Sequence, residues 1–586
     1  LGNIIPEPFD ENHSTPEGEY LVHVEAGKRI YQLYSELDLG DDENNDSLAH
    51  KISTDYQNDG YFGPWAFETL GGAGGQTVFG AITTGTHGGD WQLPPMADSV
   101  MALHLVADGG KHYWIERLSE GPRLTDDDAL KELYDIELYG GTNGPGKNFE
   151  IIRDNDIFNA VIVSAGRFGI VYSVVLRVVR QYSLHEERRL GTWQAIKSQI
   201  SNSSSNLYSR RFLQIAISLT PHENSTKNLC GITKRWNVPT KLNQTTLEPH
   251  GRLERRGTRL ENAGNSHPYR PDPDNPDITL PPSFLERSCS NNDFLIGVIE
   301  AVAVEIQELI DKNKVVVGST IASVTVIGGP GLVIGSLATI LLVLLAFLAF
   351  LRANTGPRLG NSLDLLRREL LDRPTAAERA AGIFVWQCIT YKLFRGQQGD
   401  MDYEAISYAV MDGHDYQDKS CRVNVDSIEV FFDATDSKLI AFIDMLIAFE
   451  VRQEREGKAF VGYVSLRFTG PTSALIGMQK YPLTCAVEVA GLKDVEGTAE
   501  LIDYAITLSL DKNFGGILHW GQRNESTVDD IEYRFGQNLT MWRDALYRIN
   551  EHGLEFSSVF TRRVGLEVPV NPCQDCIDTQ SIANES

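Results

Sequence analysis

The sequence predicts an α+β fold that is divided into at least two domains, and three observations support this prediction. Segments in which apolar and polar residues alternate, as in strands, are interspersed with segments whose apolar residues recur at helical spacing. The chain has 586 residues, which exceeds the size at which a single hydrophobic core stops growing. Its contents of 42% hydrophobic and 23% charged residues are ordinary for a globular protein.

The first predicted domain covers residues 1–185 and begins with a strand and an amphipathic helix. The helix, from about residue 30, carries Ile30, Leu33, Tyr34 and Leu37 at helical spacing. A loop rich in glycine and threonine follows, and a hairpin with a turn at 108–110 comes next. The strands predicted in this domain are 20–24, 99–106, 113–116 and 170–179.

The second predicted domain covers residues 186–500 and begins with a region of different amino-acid composition. Residues 201–292 are rich in Ser, Asn, Pro and charge, and 268–283 is predicted to be a loop. Helices are expected at 293–313 and at 360–380, with mixed strands and helices after them. Residues 501–565 are predicted to return to the first domain, and 566–586 are expected to form a flexible tail.

The strongest anomaly is residues 315–351, which contain no charged side chain. Residues 332–351 are long and apolar enough to span a bilayer. A turn at 328–331 predicts instead a hairpin whose ends lie on the same side. Such a hairpin has four candidate roles: a core element of the second domain, a peripheral membrane contact, an interface with a partner subunit, or the lining of an apolar substrate tunnel.

The overall charge and the cysteines exclude several classes of function. A formal net charge of -26, with no compensating basic run, argues against a nucleic-acid partner and against charge-driven binding to anionic membranes. Of seven cysteines, only Cys573 and Cys576 form a CxxC pair, and a zinc site would need a second pair. No metal site is therefore predicted. The chain begins with Leu and shows no signal-peptide pattern, which indicates a processed or incomplete product.

The loop GGAGGQTVFGAITTGTHGGDWQLPPMADSV and its continuation ALHLVADGGKHYWIE carry the clearest family resemblance. They resemble the second flavin-contacting loop of the vanillyl-alcohol-oxidase-type enzymes with a PCMH-type FAD-binding domain. That family includes aldonolactone oxidases, alditol oxidases and type II cholesterol oxidases. The later segments VSAGRFGIVYSVVLRVV and GGILHWGQ resemble two further family motifs, in the family's order, and the long interval between them is where the family carries its substrate cap.

The resemblance implies an FAD-binding PCMH-type domain, an α+β cap that contains the apolar hairpin, and FAD as cofactor. A pyrophosphate needs dense backbone N–H donors without obstructing Cβ atoms, together with neutral hydroxyl and amide partners. The small and hydroxylated residues of the three motifs match these needs. The residues that the resemblance assigns to the cofactor are Gly75, Gln76, Thr77, Gly80, Thr83, Thr84, Gly85, Thr86, His87, Gly88, Gly166, Gly169, Ile170, Val171 and Trp520.

Arg467, His519 and Glu429 are the candidate catalytic residues. Arg467 matches a position at which relatives place an active-site arginine, and a guanidinium there would stabilise negative charge and bind a substrate oxygen. His519 belongs to the HWG signature near the flavin or the substrate. Glu429, like Glu488, lies in a strand-like run that can present a carboxylate to the cap cavity. For each residue a purely structural role stays open.

The chain departs from the family pattern at two places. The family's first FAD subdomain, with a Gly-rich turn that often carries a covalently flavinylated histidine, has no match here, and His13 lacks the glycines and the spacing. Relatives often have Glu two residues before the arginine, where this chain has Ser465. The first subdomain is therefore expected to be absent, and a flavin-free scaffold is the alternative function.

The predicted function is oxidation of an alcohol by hydride transfer to FAD, with electrons passed to oxygen or another acceptor. The uncharged segment favours an apolar, sterol-like substrate over a sugar alcohol. His87 is expected to shape the loop or contact the flavin. The compartment and the oligomeric state are left open by the sequence.

Overall fold

The computed structural model describes residues 18–39, 64–118, 123–133, 149–221, 227–239, 258–259, 293–316, 334–353, 359–412, 425–493, 495–550 and 555–568. Several predicted features lie outside these residues: the turn at 328–331, the loop at 268–283, His13, Cys573 and Cys576. The same is true of most of the predicted hairpin arm 315–327.

A mainly antiparallel sheet forms the first layer of the fold. Its order is β1-β6-β3-β4-β5, with β2 beside β6 and with β4 and β5 parallel. The central strand β6 is rich in valine and other β-branched residues, which suit a strand that is paired on both edges. The strands are β1 (Glu19–Glu25), β2 (Trp65–Ala66), β3 (Val100–Val106), β4 (His112–Glu116), β5 (Phe149–Arg153) and β6 (Ile170–Arg180).

Helices from both ends of the chain cover this sheet. The four helical-spacing residues predicted for the first helix are all buried in its core, as are Trp542 and Leu546 from the C-terminal region. The loop-to-strand order predicted for this domain is confirmed. The helices that belong to this layer are α1 (Ile30–Leu39), α2 (Val78–Thr83), α3 (Asp127–Leu133) and α4 (Asn155–Val161).

A second, antiparallel sheet contains nine described strands in the order β10-β11-β7-β9-β8-β13-β14-β12-β15. β7, β8 and β9 were not predicted from the sequence, because charged residues interrupt the alternation of β7 and β9, and β8 is a short apolar run. The strands are β7 (Ser183–Thr192), β8 (Phe212–Ile217), β9 (Leu229–Val238), β10 (Thr258–Arg259), β11 (Met401–Ile406), β12 (Val425–Asp433), β13 (Gly462–Thr469), β14 (Thr484–Leu492) and β15 (Ile517–Leu518).

The remaining helices pack on the second sheet, form a separate layer around the uncharged segment, or return to the first sheet. They are α5 (Trp193–Ile200), α6 (Asp293–Val316), α7 (Ile334–Ala353), α8 (Leu359–Leu371), α9 (Ala376–Gln398), α10 (Ser407–Met411), α11 (Ser437–Arg455), α12 (Glu496–Leu510), α13 (Val528–Phe535), α14 (Gln537–Ile549) and α15 (Val559–Arg563). α11 and α12 cover one face of the second sheet. Of the C-terminal elements, α12 and β15 lie with this sheet, whereas α13 and α14 pack on the first core.

One predicted helix differs from the structure. The single helix predicted at 360–380 is wrong, because Pro374 separates α8 from α9 and Thr375 forms a capping box with Glu378. Gly382 lets the two helices cross closely, since a Cβ there would clash with the carbonyl oxygen of Leu370.

Helix α7, which carries no charge from Ile334 to Leu351, packs along α6, α8 and α9. Arg352, near its end, is paired with Glu300 of α6.

Candidate active site

One face of the second sheet carries a row of polar side chains in strands that are otherwise apolar. Glu429 of β12 lies opposite Glu488 of β14, which in turn lies opposite Ser465 of β13. Arg467, two residues beyond Ser465, lies opposite Gln214 of β8. Because side chains alternate along a strand, these residues share one face, while their neighbours form the apolar core under α11 and α12.

The glycine-rich loop passes directly over this polar face. A Cβ on Gly72 would lie 2.9 Å from a guanidinium nitrogen of Arg467, so the loop backbone approaches the arginine as closely as a glycine permits. His87, from the same loop, contacts Glu429 and packs its ring edge-on to Phe431 at 5.2 Å. The structure therefore brings His87 close to Glu429 and Arg467, which lie about 340 and 380 residues after it in the chain.

His87 lies between two hydrogen-bond acceptors. Its Nδ1 lies 2.7 Å from the carbonyl oxygen of Gly88, and its Nε2 lies 3.2 Å from Oε1 of Glu429. Both ring nitrogens thus lie within hydrogen-bond distance of an oxygen atom. His87 and Glu429 form a buried ion pair when the imidazole is protonated.

His519 has a different hydrogen-bonding arrangement from that of His87. The backbone N–H of Gly521 donates to Nδ1 of His519 at 2.8 Å, which requires that nitrogen to be unprotonated. Its Nε2 lies 3.9 Å from Oε2 of Glu429. Burial lowers the pKa of His519 to about 4, with the nearby His87 acting in the same direction and Glu429 opposing. His519 is thus a neutral imidazole whose proton is on Nε2.

Glu429 and Glu488 lie opposite each other on β12 and β14, and their pKa values are shifted in opposite directions. Burial would raise the pKa of Glu429, but His87, and to a smaller extent His519 and Arg467, lower it to about 2. Burial raises the pKa of Glu488, and the guanidinium of Arg467 at 3.9 Å does not compensate. Adjacent carboxyls whose pKa values are separated by their surroundings are typical of acid–base sites.

Glu488 has room to take part in proton transfer. It is hydrogen-bonded to Tyr463, and its Oε2 has no hydrogen-bond partner among the described residues. The carboxylates of Glu488 and Glu429 raise the pKa of Arg467 against the effect of burial, so that this arginine stays a cation. The face therefore combines a fixed cation, a fixed anion, a neutral histidine and a carboxyl group that can exchange a proton.

The three sequence motifs meet at Thr83 and Thr84. The backbone N–H groups of Ser164 and Ala165, from the second motif, donate to the carbonyl oxygen of Thr83 at 3.2 and 3.1 Å. Thr84 lies against Gly521 of the third motif, where a Cβ would lie 3.0 Å from Oγ1 of Thr84. Segments that are hundreds of residues apart in the chain thus form one surface.

This surface has properties that fit a dinucleotide. Gln76, Thr77 and Gly80 are exposed, and a Cβ on Gly80 would clash with the hydroxyl of Thr77. Glycine at 80 and at 521 therefore keeps two threonine hydroxyls uncovered. Among the described residues, the buried Oε1 atoms of Gln479 and Gln522 have no hydrogen-bond partner. Neutral donors and open glycines are what an acidic chain needs in order to hold a pyrophosphate.

The other residues of the glycine-rich loop are packed against protein atoms. Gly85 has a φ of 82° and lies against Met478, and Gln479 donates to its carbonyl oxygen at 3.0 Å. A Cβ on Gly88 would lie 2.5 Å from Oγ1 of Thr69. Thr83 shares a hydrogen bond with Ser164, and Gly75 accepts one from Arg29. Thr86 is half-buried.

The second and third motifs place their assigned residues differently. Gly166 is exposed, has a φ of 76°, and has no atom within 4 Å of its Cβ position. Ile170 is 65% exposed, and Val171 is half-buried beside it, whereas Gly169 packs on Val106. Trp520 is buried and donates to the carbonyl oxygen of Ile476 at 2.8 Å. A cofactor role for these residues stays a prediction.

Two residues that hold the loop were missed in the sequence. Asp412 accepts hydrogen bonds from the backbone N–H of Gly74 at 2.8 Å and from Tyr34 at 3.1 Å. Arg211 donates to Asp90 at 2.8 Å and to the carbonyl oxygen of Glu68 at 2.5 Å. No local pattern marks either residue, because each acts on a segment more than 100 residues away.

Comparisons with known proteins find similarity only to solved structures. No protein-family model and no curated protein matches the chain. Among solved structures, it is similar to a solvent-stable cholesterol oxidase, with a TM-score of 0.47 and 10% identity over 96% of this chain and 84% of that one. A cholesterol oxidase from B. sterolicum has a TM-score of 0.49 and 10% identity over 96% and 83%. A histidine-to-alanine mutant of cholesterol oxidase from Brevibacterium sterolicum has a TM-score of 0.47 and 10% identity over 94% and 82%.

The α+β class of this chain is established by its own two sheets and by the helices that pack on them.

Proposed function

We propose that the chain is an FAD-dependent oxidoreductase that oxidises an alcohol. The observation that carries the proposal is the polar face of the second sheet, where Arg467, Glu429 and His519 converge under the glycine-rich loop. The family resemblance of the three motifs supports the same function, because the motifs meet at one surface beside this face.

The residues that would hold FAD are those of the open surface. Gln76, Thr77 and Thr84 would contact the pyrophosphate through neutral groups, with Gly80 and Gly521 giving access. FAD, when bound, supplies an acceptor for a hydride. The further cofactor contacts proposed for the second motif are Gly166, Gly169, Ile170 and Val171.

The side chains of the sheet face would act on the substrate hydroxyl. Arg467 would bind the oxygen and stabilise negative charge on it as the C–H bond breaks. Glu488 would accept the hydroxyl proton, because its raised pKa makes it the stronger base of the two carboxyls and its Oε2 accepts no hydrogen bond from the described residues. Glu429 and His87, as an ion pair, would fix the position of His519, whose Nε2 proton is available for a hydrogen bond.

The finer proposal concerns substrate and acceptor. The uncharged segment that contains α7 favours an apolar, sterol-like alcohol over a sugar alcohol. The electrons would pass to oxygen or to another acceptor, and the two are distinguished by whether turnover consumes oxygen.

The absorbance spectrum of the purified chain tests the cofactor. Flavin bands, either in the protein as isolated or after addition of FAD and removal of the excess, are the expected result. A featureless visible region under both conditions would contradict the proposal. It would favour the flavin-free scaffold, which is also the function suggested by Ser465, a buried serine that accepts a hydrogen bond from Gln214 at 2.8 Å.

Glu488→Gln tests the chemistry of the site. We expect kcat for alcohol oxidation to fall by about 100-fold, because a general base is removed, while flavin content and KM change little. In the wild type, activity should rise as the pH increases through the raised pKa of Glu488, and the variant should lose this dependence. The exposed Glu456→Gln is the matched control. Unchanged kcat in Glu488→Gln would remove this residue from the mechanism.

A further inference from the structure

Helix α7 has one face that packs on protein and another that is apolar and exposed. The packed face lies against α6, α8 and α9 and includes Leu337 and Leu344, both fully buried. On the opposite face, Leu342 is 68% exposed, Leu345 is 49% exposed and Phe350 is 38% exposed. Ordinary surface helices carry charged and polar residues on such a face.

The exposed face of α7 offers almost no polar group to a partner. No charged residue occurs from Ile334 to Leu351. The hydroxyl of Thr339 donates to the carbonyl oxygen of Gly335 at 3.1 Å, so that it is satisfied within the helix. Residues 335–353 are long and apolar enough to cross a membrane, with a mean hydropathy of 2.3, and are 39% buried.

The topology excludes a single crossing of a membrane by α7. β7, β8 and β9 precede the helix and β11 to β14 follow it, and these strands form one continuous sheet. The segments on either side of the helix therefore lie on the same side of any bilayer. α6, which packs along α7, exposes Glu305, Glu308 and Asp311, which would not enter hydrocarbon. A membrane contact made by this apolar face would therefore lie along the surface of the bilayer.

The side chains on the exposed face of α7 indicate which kind of surface it contacts. Protein interfaces are enriched in aromatic residues and arginine with a hydrogen-bonding rim, whereas this face is mainly aliphatic and alanine-rich. The chain carries a net charge of -26, and the neighbouring helix adds exposed carboxylates, so that an anionic surface would repel it. We propose that the exposed face of α7 is a membrane-contact surface that lies in the interface of a zwitterionic lipid bilayer, with its apolar side chains buried among the acyl chains.

Flotation with lipid vesicles tests this proposal directly. The wild-type chain should float with phosphatidylcholine vesicles, and high salt should not release it, because the binding is apolar. Adding phosphatidylserine to the vesicles should weaken binding. The double variant Leu342→Glu with Leu345→Glu should bind about 100-fold more weakly, since two side chains lose apolar burial and gain charge. Val559→Glu, at a 77% exposed position on α15, is the matched control and should bind like the wild type.

A second measurement is made on the wild type, so that it does not depend on whether the double variant folds. Hydrogen–deuterium exchange of residues 334–353 should slow on addition of phosphatidylcholine vesicles in the wild type. Three outcomes would overturn the proposal: no flotation of the wild type, flotation only with anionic vesicles, or a wild-type dimer that the double variant abolishes. Lipid binding is measured without reference to flavin, so that the result is independent of the proposed oxidoreductase activity.

Discussion

At the scale of single residues, the site is defined by what surrounds each ionisable group. Glu429 and Glu488 are the same residue type, on facing positions of adjacent strands. The contact with His87 favours the charged form of Glu429, whereas burial favours the neutral form of Glu488. Two identical side chains a strand apart are thus suited to different roles, one as a fixed anion and the other as a proton acceptor.

Glu429→Gln should destabilise the protein at neutral pH. The pKa of Glu429 is lowered to about 2 in the folded state, below its usual value of 4.5, so that its contribution is present above pH 4.5 and is lost as the pH falls towards 2. Removing this partner of a buried pair should cost about 3 kcal/mol at neutral pH, and the difference from wild type should shrink at acid pH. Urea unfolding at several pH values measures both effects.

Glu488→Gln is the matched control for stability on the facing strand. The pKa of Glu488 is raised, so replacing it with a neutral side chain should leave the free energy of unfolding at neutral pH unchanged or raise it. Equal destabilisation by the two substitutions would show that the assigned charge states are wrong.

At the scale of elements, α11 carries a second pair of buried carboxyls. Glu450 and Glu454, one turn apart, are 0% and 2% exposed. Glu450 accepts a hydrogen bond from the backbone N–H of Phe460 at 2.9 Å, and Glu454 accepts one from Gln387 of α9 at 3.0 Å. Each has a second oxygen without a hydrogen-bond partner among the described residues. The contact between α9 and α11 thus depends on protonation.

Glu454→Gln should stabilise the protein at alkaline pH. Burial raises the pKa of Glu454 to about 7, against the hydrogen bonds from Gln387 and Thr220. A raised carboxyl pKa means that the wild type loses stability as the pH rises from 4.5 to about 7. The variant should therefore be about 2 kcal/mol more stable than wild type at pH values above 7 and equal to it near pH 4. Thermal unfolding across this range, with the exposed Glu456→Gln as control, checks the prediction.

At the scale of the whole molecule, the second sheet and the elements attached to it hold the glycine-rich loop of the first domain at several points. Asp412 binds the loop at Gly74, and Arg211 binds it at Asp90. Arg467 lies next to Gly72, two residues before the first of these anchors. The two sheets therefore meet at a polar interface around the loop, and the shape of the loop depends on residues that the loop does not contain.

Arg211→Gln should loosen this interface. Arg211 contacts Asp90, the carbonyl oxygen of Glu68 and the side chain of Asn237, so its removal leaves the buried Asp90 without its cation. We expect a loss of about 3 kcal/mol in the free energy of unfolding and faster hydrogen exchange in residues 67–93. Arg210→Gln, at an exposed position where the guanidinium covers Trp236, should cost less than about 1 kcal/mol. Similar exchange in the two variants would contradict the anchoring role.

Local pattern was enough to predict several elements of this fold. β1, α1, β3, β4 and β6 follow from alternation and helical spacing, because each has a clear apolar face. β7 to β9 were not predicted in this way, since charged residues interrupt the alternation of β7 and β9, and β8 is only six residues long. In the sheet, β7 and β8 also pair with the distant strands β11 and β13. The break at Pro374 was visible in the sequence, and the prediction of one continuous helix gave it too little weight.

The sequence by itself determined which side chains are available for chemistry: a glycine-rich loop with His87, one polar residue in each of several apolar strands, and an uncharged helix. Only the tertiary structure decided that Glu429, Arg467 and His519 meet under that loop, because the order of the strands in the second sheet differs from their order in the chain. It also decided their charge states, because the ion pair of His87 with Glu429 and the burial of His519 and Glu488 depend on neighbours that no local pattern names. The charge states of these side chains therefore depend on contacts between segments that are far apart in the chain.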